Sequence, residues 1–316
     1  MMEGTDHYKD CMSIIIPVYN RPNLVERCLD SVKAQTYRPI HIIVVDNGST
    51  DDTFSHVKKW KESNSDDNLT LEILSDMRHG AAYARETGLH YVDTEKVMFF
   101  DSDDYMRPDC VSSIMKVWRD DPSIDVVAWP VAFHYGKRIE ISHSITGNLL
   151  ERHLVHSIFR TLGYAIKTDF LREAGGWRGE FPNWNDLETG SRVLMLNPKV
   201  KSFRKPMMDV YPQSESITGL SFSSKAGKWE KSLDGIDMSI DASGRSDAGR
   251  LHNIVTYRRA ILAADYAKEG HMELAEPLYH KALAEIDKKK RPLIRIAYNL
   301  TKRGMSGAFS IIGKML

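Results

Sequence analysis

Three carboxylates crowd one short stretch of this chain: Asp101, Asp103 and Asp104 follow directly on the apolar run Val97-Met98-Phe99-Phe100, with Ser102 inside the cluster. Carboxylates this close resist ionising together unless a cation sits among them, so the stretch is either a site for a hard divalent ion or a solvated turn. It is not an EF-hand loop. Counting from Asp101, Met106 stands where that loop needs glycine and Ser112 where it needs glutamate. Two further polar clusters, Pro17-Val18-Tyr19-Asn20 and Asp46-Asn47-Gly48-Ser49, also close short β-branched runs.

The elements that position these clusters follow from periodicity. Apolar, β-branched runs over 12–18, 41–45, 69–74, 96–100 and 124–129 predict strands. Between them, 23–34, 51–63, 80–91 and 108–118 carry helical spacing. This alternation predicts an α/β fold with a mostly parallel sheet covered by helices on both faces. Ligands of such sheets gather at the carboxyl ends of strands, and all three polar clusters fall there.

Past residue 217 the character changes. Residues 221–250 are rich in Ser, Gly, Asp and Lys with little periodicity, which predicts a flexible linker. Residues 251–286 predict two antiparallel helices, with alanines at 260, 263, 264 and 267 and then Ala275, Leu278, Ala282 and Leu283. One such hairpin resembles a single tetratricopeptide unit, below the number that makes an array, and is expected to pack on the main domain. The basic run at 288–291 leads into a stripe of Leu293, Ile296, Ala297, Leu300, Ile311, Ile312 and Leu316, flanked by Arg295, Lys302, Arg303 and Lys314. Such a segment (288–316) either lies on an anionic membrane surface or packs on the protein. The expected organisation is a tail (1–11), a main domain (12–220), a linker (221–250) and a helical extension (251–316).

Composition narrows the function classes. Lys plus Arg and Asp plus Glu both total 43 in 316 residues, so the chain lacks the basic excess of a dedicated nucleic-acid binder. Cys11, Cys28 and Cys110 show no CxxC spacing, which fits a reducing compartment without a disulfide framework or zinc knuckle. No leader-like apolar segment and no run of bilayer-spanning length is seen, so the expectation is a cytoplasmic protein whose membrane contact is at most peripheral.

Four motifs in order carry a resemblance: Ser13-Ile14-Ile15-Ile16-Pro17-Val18-Tyr19-Asn20, Val44-Val45-Asp46-Asn47-Gly48-Ser49-Thr50-Asp51, Gly80-x-x-x-Ala84-Arg85-x-x-Gly88, and the acidic strand end. Over roughly 12–218 the chain resembles a family 2 glycosyltransferase with the GT-A fold. The resemblance implies that Pro17, Val18, Tyr19 and Asn20 line a base and ribose pocket, with Asp46 and Asn47 reading the nucleobase. Asn47 departs from the acid many members carry, although an amide both donates and accepts. Arg85 matches the family arginine, with Glu86 beside it in place of the usual asparagine. Asp101 and Ser102 would touch the donor, Asp103 with Asp101 would hold Mn²⁺ or Mg²⁺ across the two phosphates, and Asp104 would support them.

The same resemblance covers Gly175-Gly176-Trp177 and, a short distance on, Asn185-Asp186 and Arg192. Asp186 takes the position of the general base, while Asn185 replaces a glutamate. A helix expected over 186–196 would place Asp186 in its first turn, where the helix dipole favours a carboxylate. Trp177 and Trp184 are candidates to stack on sugar, and Glu188 to support the acceptor side. Gln213 stands where a histidine often completes the site. His134, His143, His153 and His156 share no metal-ligand spacing.

The implied activity is inverting, metal-dependent transfer from a nucleotide-diphosphate sugar, with UDP favoured, to a hydroxyl of a glycan or lipid-linked glycan in cell-envelope polysaccharide synthesis. Three alternatives stand beside it. A nucleotidyltransferase would need a glycine-rich loop where Tyr19-Asn20-Arg21-Pro22-Asn23 lies. A catalytically degenerate domain would serve as a glycan-binding scaffold, and a transferase with a protein acceptor would use the C-terminal hairpin for docking.

Overall fold

In the computed structural model, which describes residues 10–211 and 221–305, the isoleucine-rich run β1 (Met12–Val18) is buried throughout. It sits mid-sheet, parallel to β2 (Ile40–Asp46) on one side and β4 (Lys96–Phe99) on the other. Outward from β2 lies β3 (Leu69–Ser75). Beyond β4 come β9 (Tyr164–Lys167), β6 (Val126–Ala128) and β10 (Val200–Ser202), giving a seven-stranded sheet ordered β10-β6-β9-β4-β1-β2-β3. Only β9 runs antiparallel to its neighbours. A four-stranded sheet, β5-β11-β7-β8, joins β5 (Tyr105–Met106), β7 (Ala132–Tyr135), β8 (Arg138–Ile141) and β11 (Met208–Val210).

Alternation along β1 divides the core. Ile14 and Ile16 face α1 (Pro22–Lys33), α2 (Thr53–Asn64) and α4 (Cys110–Asp120), whereas Ile15 faces α3 (Ala81–His90), α5 (Leu149–His156), α6 (Thr168–Glu173) and α7 (Asn185–Met195). Helix α3 comes unusually close to the sheet because Gly88 leaves room. A Cβ there would stand 2.6 Å from Ile15 Cγ2 and 3.2 Å from Val45 Cγ2. That close approach holds Arg85, one turn earlier, at the carboxyl edge of β4.

The C-terminal part is helical: α8 (Lys228–Ala242), α9 (Ala248–Lys268), α10 (Met272–Glu285) and α11 (Arg291–Lys302). The antiparallel pair expected over 251–286 is present as α9 and α10. The flexible linker expected over 221–250 is not: most of it is α8 and the start of α9. Trp229, Ser232, Leu233, Ile236 and Ile240 recur at helical spacing on the buried face of α8, a stripe diluted in sequence by Ser232, Gly235 and flanking acids.

Helix α11 buries Ile294, Ala297 and Tyr298, and the Tyr298 ring stacks on Tyr279 at 4.0 Å. Of the stripe read from sequence, Ala297 is buried, Leu293 and Leu300 are half-buried and Ile296 is exposed, so its described part mostly packs on the protein. Ile311, Ile312, Lys314 and Leu316 lie outside the described residues, as does Gln213. Among the described residues no helix is long and apolar enough to cross a membrane.

Candidate active site

The loops after β1 and β2 are laced together. Asn20, in the left-handed region (φ 49°), accepts from Thr50 N–H through Oδ1 (2.8 Å), and its own N–H donates to Ser49 Oγ (3.0 Å). Pro17 and Val18 are buried at the strand end, and Tyr19 projects into solvent with its ring edge-on to His79 at 6.2 Å. Asp46, buried, accepts from Ser49 N–H (3.2 Å). Asn47 is fully engaged by protein: Nδ2 donates to the carbonyls of Asp76 (2.9 Å) and Arg78 (2.6 Å), and Oδ1 accepts from Gly80 N–H (2.6 Å). Its amide therefore shapes the 76–80 loop, which carries His79 against Tyr19, instead of presenting free donors to a base.

At the end of β4 the acids meet arginines. Arg85 Nη2 donates to Asp101 Oδ1 (2.6 Å) and Arg21 Nη1 to Asp103 Oδ1 (2.7 Å), while Arg27 donates to the Asp103 carbonyl. Ser102 and Asp104 are buried beneath. Burial, then Asp101 and Asp103, push the Asp104 carboxyl up to about 9. Asp103 is also raised, by burial and by Asp101. The cluster is thus short of positive charge even with its arginines.

Among the described residues, no group of three His, Cys, Asp or Glu is arranged as a closed metal site. An open site needs fewer ligands. A small divalent ion on a diphosphate takes one or two carboxylates and fills its remaining positions with phosphate and water. Asp101 and Asp103 fit that requirement: both are hard oxygen ligands, and each commits only Oδ1 to an arginine.

On the other side of Arg85, α7 begins at Asn185, whose Oδ1 lies 3.5 Å from Arg85 Nη1. One residue on, the half-buried Asp186 accepts from Leu187 N–H (2.8 Å). Burial raises its pKa; Arg160, the Leu187 N–H, Arg85 and Arg258 pull it back, and the balance stays above the ordinary carboxylate value. A carboxylate whose pKa is raised in this way is a better proton acceptor than a solvated one. Behind it, His153 is buried and held neutral, its pKa lowered to about 3 by burial. The Phe159 N–H donates to Nδ1 (3.0 Å), which assigns the proton to Nε2, 3.1 Å from the Leu187 carbonyl. This ties α5 to the start of α7.

Trp184 precedes Asp186 in the left-handed region (φ 47°, ψ 33°), which costs a bulky residue about 1–2 kcal/mol. Packing holds it there: its ring lies 5.0 Å from Trp229 and 6.4 Å from Phe222, and the Arg258 guanidinium sits 4.8 Å from its centroid. Trp177 is 2 % exposed, edge-on to Phe99 at 5.1 Å and 4.9 Å under Arg85. Little of the Trp177 ring is therefore open to a sugar, and it packs beneath Arg85. Glu188, 1 % exposed, is held by Arg192 at 2.7 Å. Arg192 also donates to the carbonyls of Ala174 and Gly176, and so fixes the turn in which Gly175 and Gly176 both take positive φ.

Of the histidines, His134 pairs with Asp209 (2.7 Å) and stacks on Tyr211, whose backbone reaches Asp104, and His143 lies against His156 (4.5 Å between centroids). Sequence reading had missed Arg21, Arg27, Asp76, Arg160 and Arg258. Only Asp76, which closes the β3 run, carried a signal a strand-end search would have found.

Residues 13–174, about half of the chain, match glycosyl transferase family 2. The chain belongs to that family. Its fold is GT-A. Over 96 % of its length it superposes on 90 % of the S. aureus TarS fragment 1–349 solved in complex with UDP-GlcNAc, with a TM-score of 0.67 and 17 % identity. Among curated family members, glycosyltransferase GlyA of Streptococcus pneumoniae is 39 % identical over 107 residues, 34 % of this chain and 15 % of GlyA. Glycosyltransferase AglE of Haloferax volcanii is 28 % identical over 185 residues, 54 % of this chain and 56 % of AglE. The chain thus spans less than two thirds of either relative. The family match ends before Asp186, so the second wall of the cleft is known here from the fold alone.

Proposed function

We propose that this chain is an inverting glycosyltransferase that moves a sugar from a nucleoside-diphosphate donor to a hydroxyl of a glycan or lipid-linked glycan, with Asp186 as general base. The observation that carries this reading is the pair of carboxylate sites. Arg85 links the two: its Nη2 pairs with Asp101, next to Asp103, its Nη1 reaches Asn185, the residue before Asp186, and its charge acts on the Asp186 carboxyl. The loops at 17–20, 46–49 and 76–80 form the nucleotide end. Tyr19 offers a ring face to the base, and Asp46 lies beneath it. TarS was solved with UDP-GlcNAc, and the Escherichia coli relative WfaP is named as acting from UDP-Glc on a diphosphoundecaprenol-linked sugar. These favour a UDP donor and a lipid-linked acceptor.

The acceptor oxygen attacks the anomeric carbon from the side opposite the leaving group, its proton passes to an Asp186 carboxylate oxygen, and the bond to the departing diphosphate breaks. One base with no covalent nucleophile gives inversion. Arg85 holds Asp101 in register and offsets part of the negative charge at the phosphate end. What Mn²⁺ or Mg²⁺ on Asp101 and Asp103 supplies when bound is neutralisation of the negative charge on the leaving diphosphate; a Mn²⁺-bearing structural neighbour, the mannosyltransferase PcManGT in complex with GDP-Man, supports a divalent ion here.

The test is nucleotide release from a panel of UDP- and GDP-sugars with Mn²⁺ or Mg²⁺, with and without lipid-linked acceptor, comparing wild type with Asp103→Ala. Donor-selective, cation-dependent release that Asp103→Ala abolishes is expected. Donor binding without turnover in the wild type would instead favour a scaffold.

A further inference from the structure

We propose that Arg258, on the C-terminal helix α9, is a positioning residue for Asp186, and that the C-terminal helices thereby form part of the active site. The inference rests on the reading of Asp186 as the base. Arg258 is buried at the junction of three elements. Its Nη1 donates to the carbonyls of Leu154 (2.6 Å) and Val155 (3.3 Å) in the last turn of α5, and its Nη2 to Ser157 Oγ (3.3 Å). Its guanidinium plane covers the ring of Trp184, the strained residue at the mouth of α7. The same segment is gripped by α8: Ser232 Oγ donates to the Asn183 carbonyl, and Gly235 is bare where a Cβ would lie 2.5 Å from the Phe181 ring.

The conformation of the segment that carries Asp186 is therefore fixed from outside it. Residues 181–186 adopt it because α8 and α9 press on them, and the family match stops short of all these residues. The charge of Arg258 also reaches Asp186. The groups that face this carboxylate are Arg85 from α3, Arg160 from the loop after α5, Tyr164 from β9 and Arg258 from α9, while His153 from α5, held neutral, meets the backbone of Asp186. Burial lowers the Arg258 pKa only to about 10, so it stays a cation at neutral pH. Removing it takes away one of the cations that favour ionised Asp186, which moves the base to higher pKa.

The experiment compares wild type, Arg258→Met, Arg258→Lys and Asp186→Asn in the full chain, with UDP-glucose, UDP-N-acetylglucosamine and GDP-mannose as donors. For Arg258→Met, kcat is expected to fall about tenfold or more while the donor KM stays within about twofold, the mark of an interaction used in the transition state rather than in binding. The acid limb of its pH–rate profile should move up by about one unit, the sign expected when a carboxylate loses a nearby cation. Arg258→Lys keeps the charge and loses the flat contact with Trp184, so kcat should fall several-fold with the acid limb in place.

A folded Arg258→Met enzyme with wild-type kcat and pH profile would overturn the inference. If that variant does not fold, a wild-type kcat in Arg258→Lys would overturn it equally. An Asp186→Asn enzyme of undiminished kcat would overturn the base assignment and this inference together, whereas an inactive Asp186→Asn beside an unaffected Arg258→Met would overturn this inference alone.

Discussion

Replacing Arg192 by methionine tests the internal bracing of the site. Arg192 and Glu188 are 6 % and 1 % exposed and meet through two short bonds, Nε to Oε1 at 2.7 Å and Nη2 to Oε2 at 2.8 Å. The same guanidinium satisfies the carbonyls of Ala174 and Gly176 and reaches Thr189 Oγ1 at 3.3 Å. Methionine fills much of the volume but leaves a buried carboxylate whose remaining cation, Arg178, lies 3.5 Å away and is 40 % exposed. Breaking a buried pair in this way costs about 3–5 kcal/mol, a large part of a domain's usual 5–15 kcal/mol. The loss should appear as a lowered urea midpoint with little change in slope. Glu188→Gln combined with Arg192→Met removes the stranded charge and should recover part of it. A loss below about 1 kcal/mol in the single variant would refute the reasoning, since that is the scale of an exposed pair.

Further outcomes follow from the same physics. Gly88→Ala should destabilise by about 1–3 kcal/mol, because the added methyl meets Ile15 at 2.6 Å across the α3–β1 contact; an equilibrium melt checks it. His252 bridges Asp237 (2.6 Å) and Asp241 (2.9 Å); burial lowers its pKa, but the two carboxylates outweigh that and raise it. Its stabilising effect is therefore complete below the unfolded value of about 6.5 and fades as pH rises through the folded pKa, so the stability gap to His252→Gln should be widest in mild acid and close in alkali. Asp76 behaves oppositely. Hydrogen bonds from Arg78 hold it, despite burial, at about 2, so the advantage of wild type over Asp76→Asn is present above the unfolded value of about 3.9 and should vanish as pH falls through 2 in acid titration.

How much of this was legible in sequence depended on where the partners lay. Strands such as β1 and β2 are continuous β-branched runs buried on both faces, and their limits follow from local pattern. Asp101, Asp103 and Asp186 could be proposed from sequence because motif order survives without knowledge of contacts. Arg21, 82 residues before Asp103, has no local mark, and Arg258 stands 104 residues from the Leu154 carbonyl it binds. Helix α8 was hidden by Ser232 and Gly235, small because Asn183 and Phe181 press against them; the residues that blur its periodicity are those that grip the base segment. For the tryptophans, aromatic type announces a large apolar contact but not whether protein or sugar provides it; the Trp177 ring is covered by protein, whereas Trp184 is half-buried.

The central claim, that Asp186 takes the proton at a nucleotide-sugar cleft, is tested most directly by Asp186→Asn. The exchange is nearly isosteric and removes the base while leaving the nucleotide loops untouched. With the best donor of the panel, kcat should fall by about 10²–10⁴-fold, the usual contribution of a general base, with UDP or GDP affinity unchanged within about twofold. Turnover retained within about tenfold of wild type would contradict it, because an amide cannot take up the hydroxyl proton.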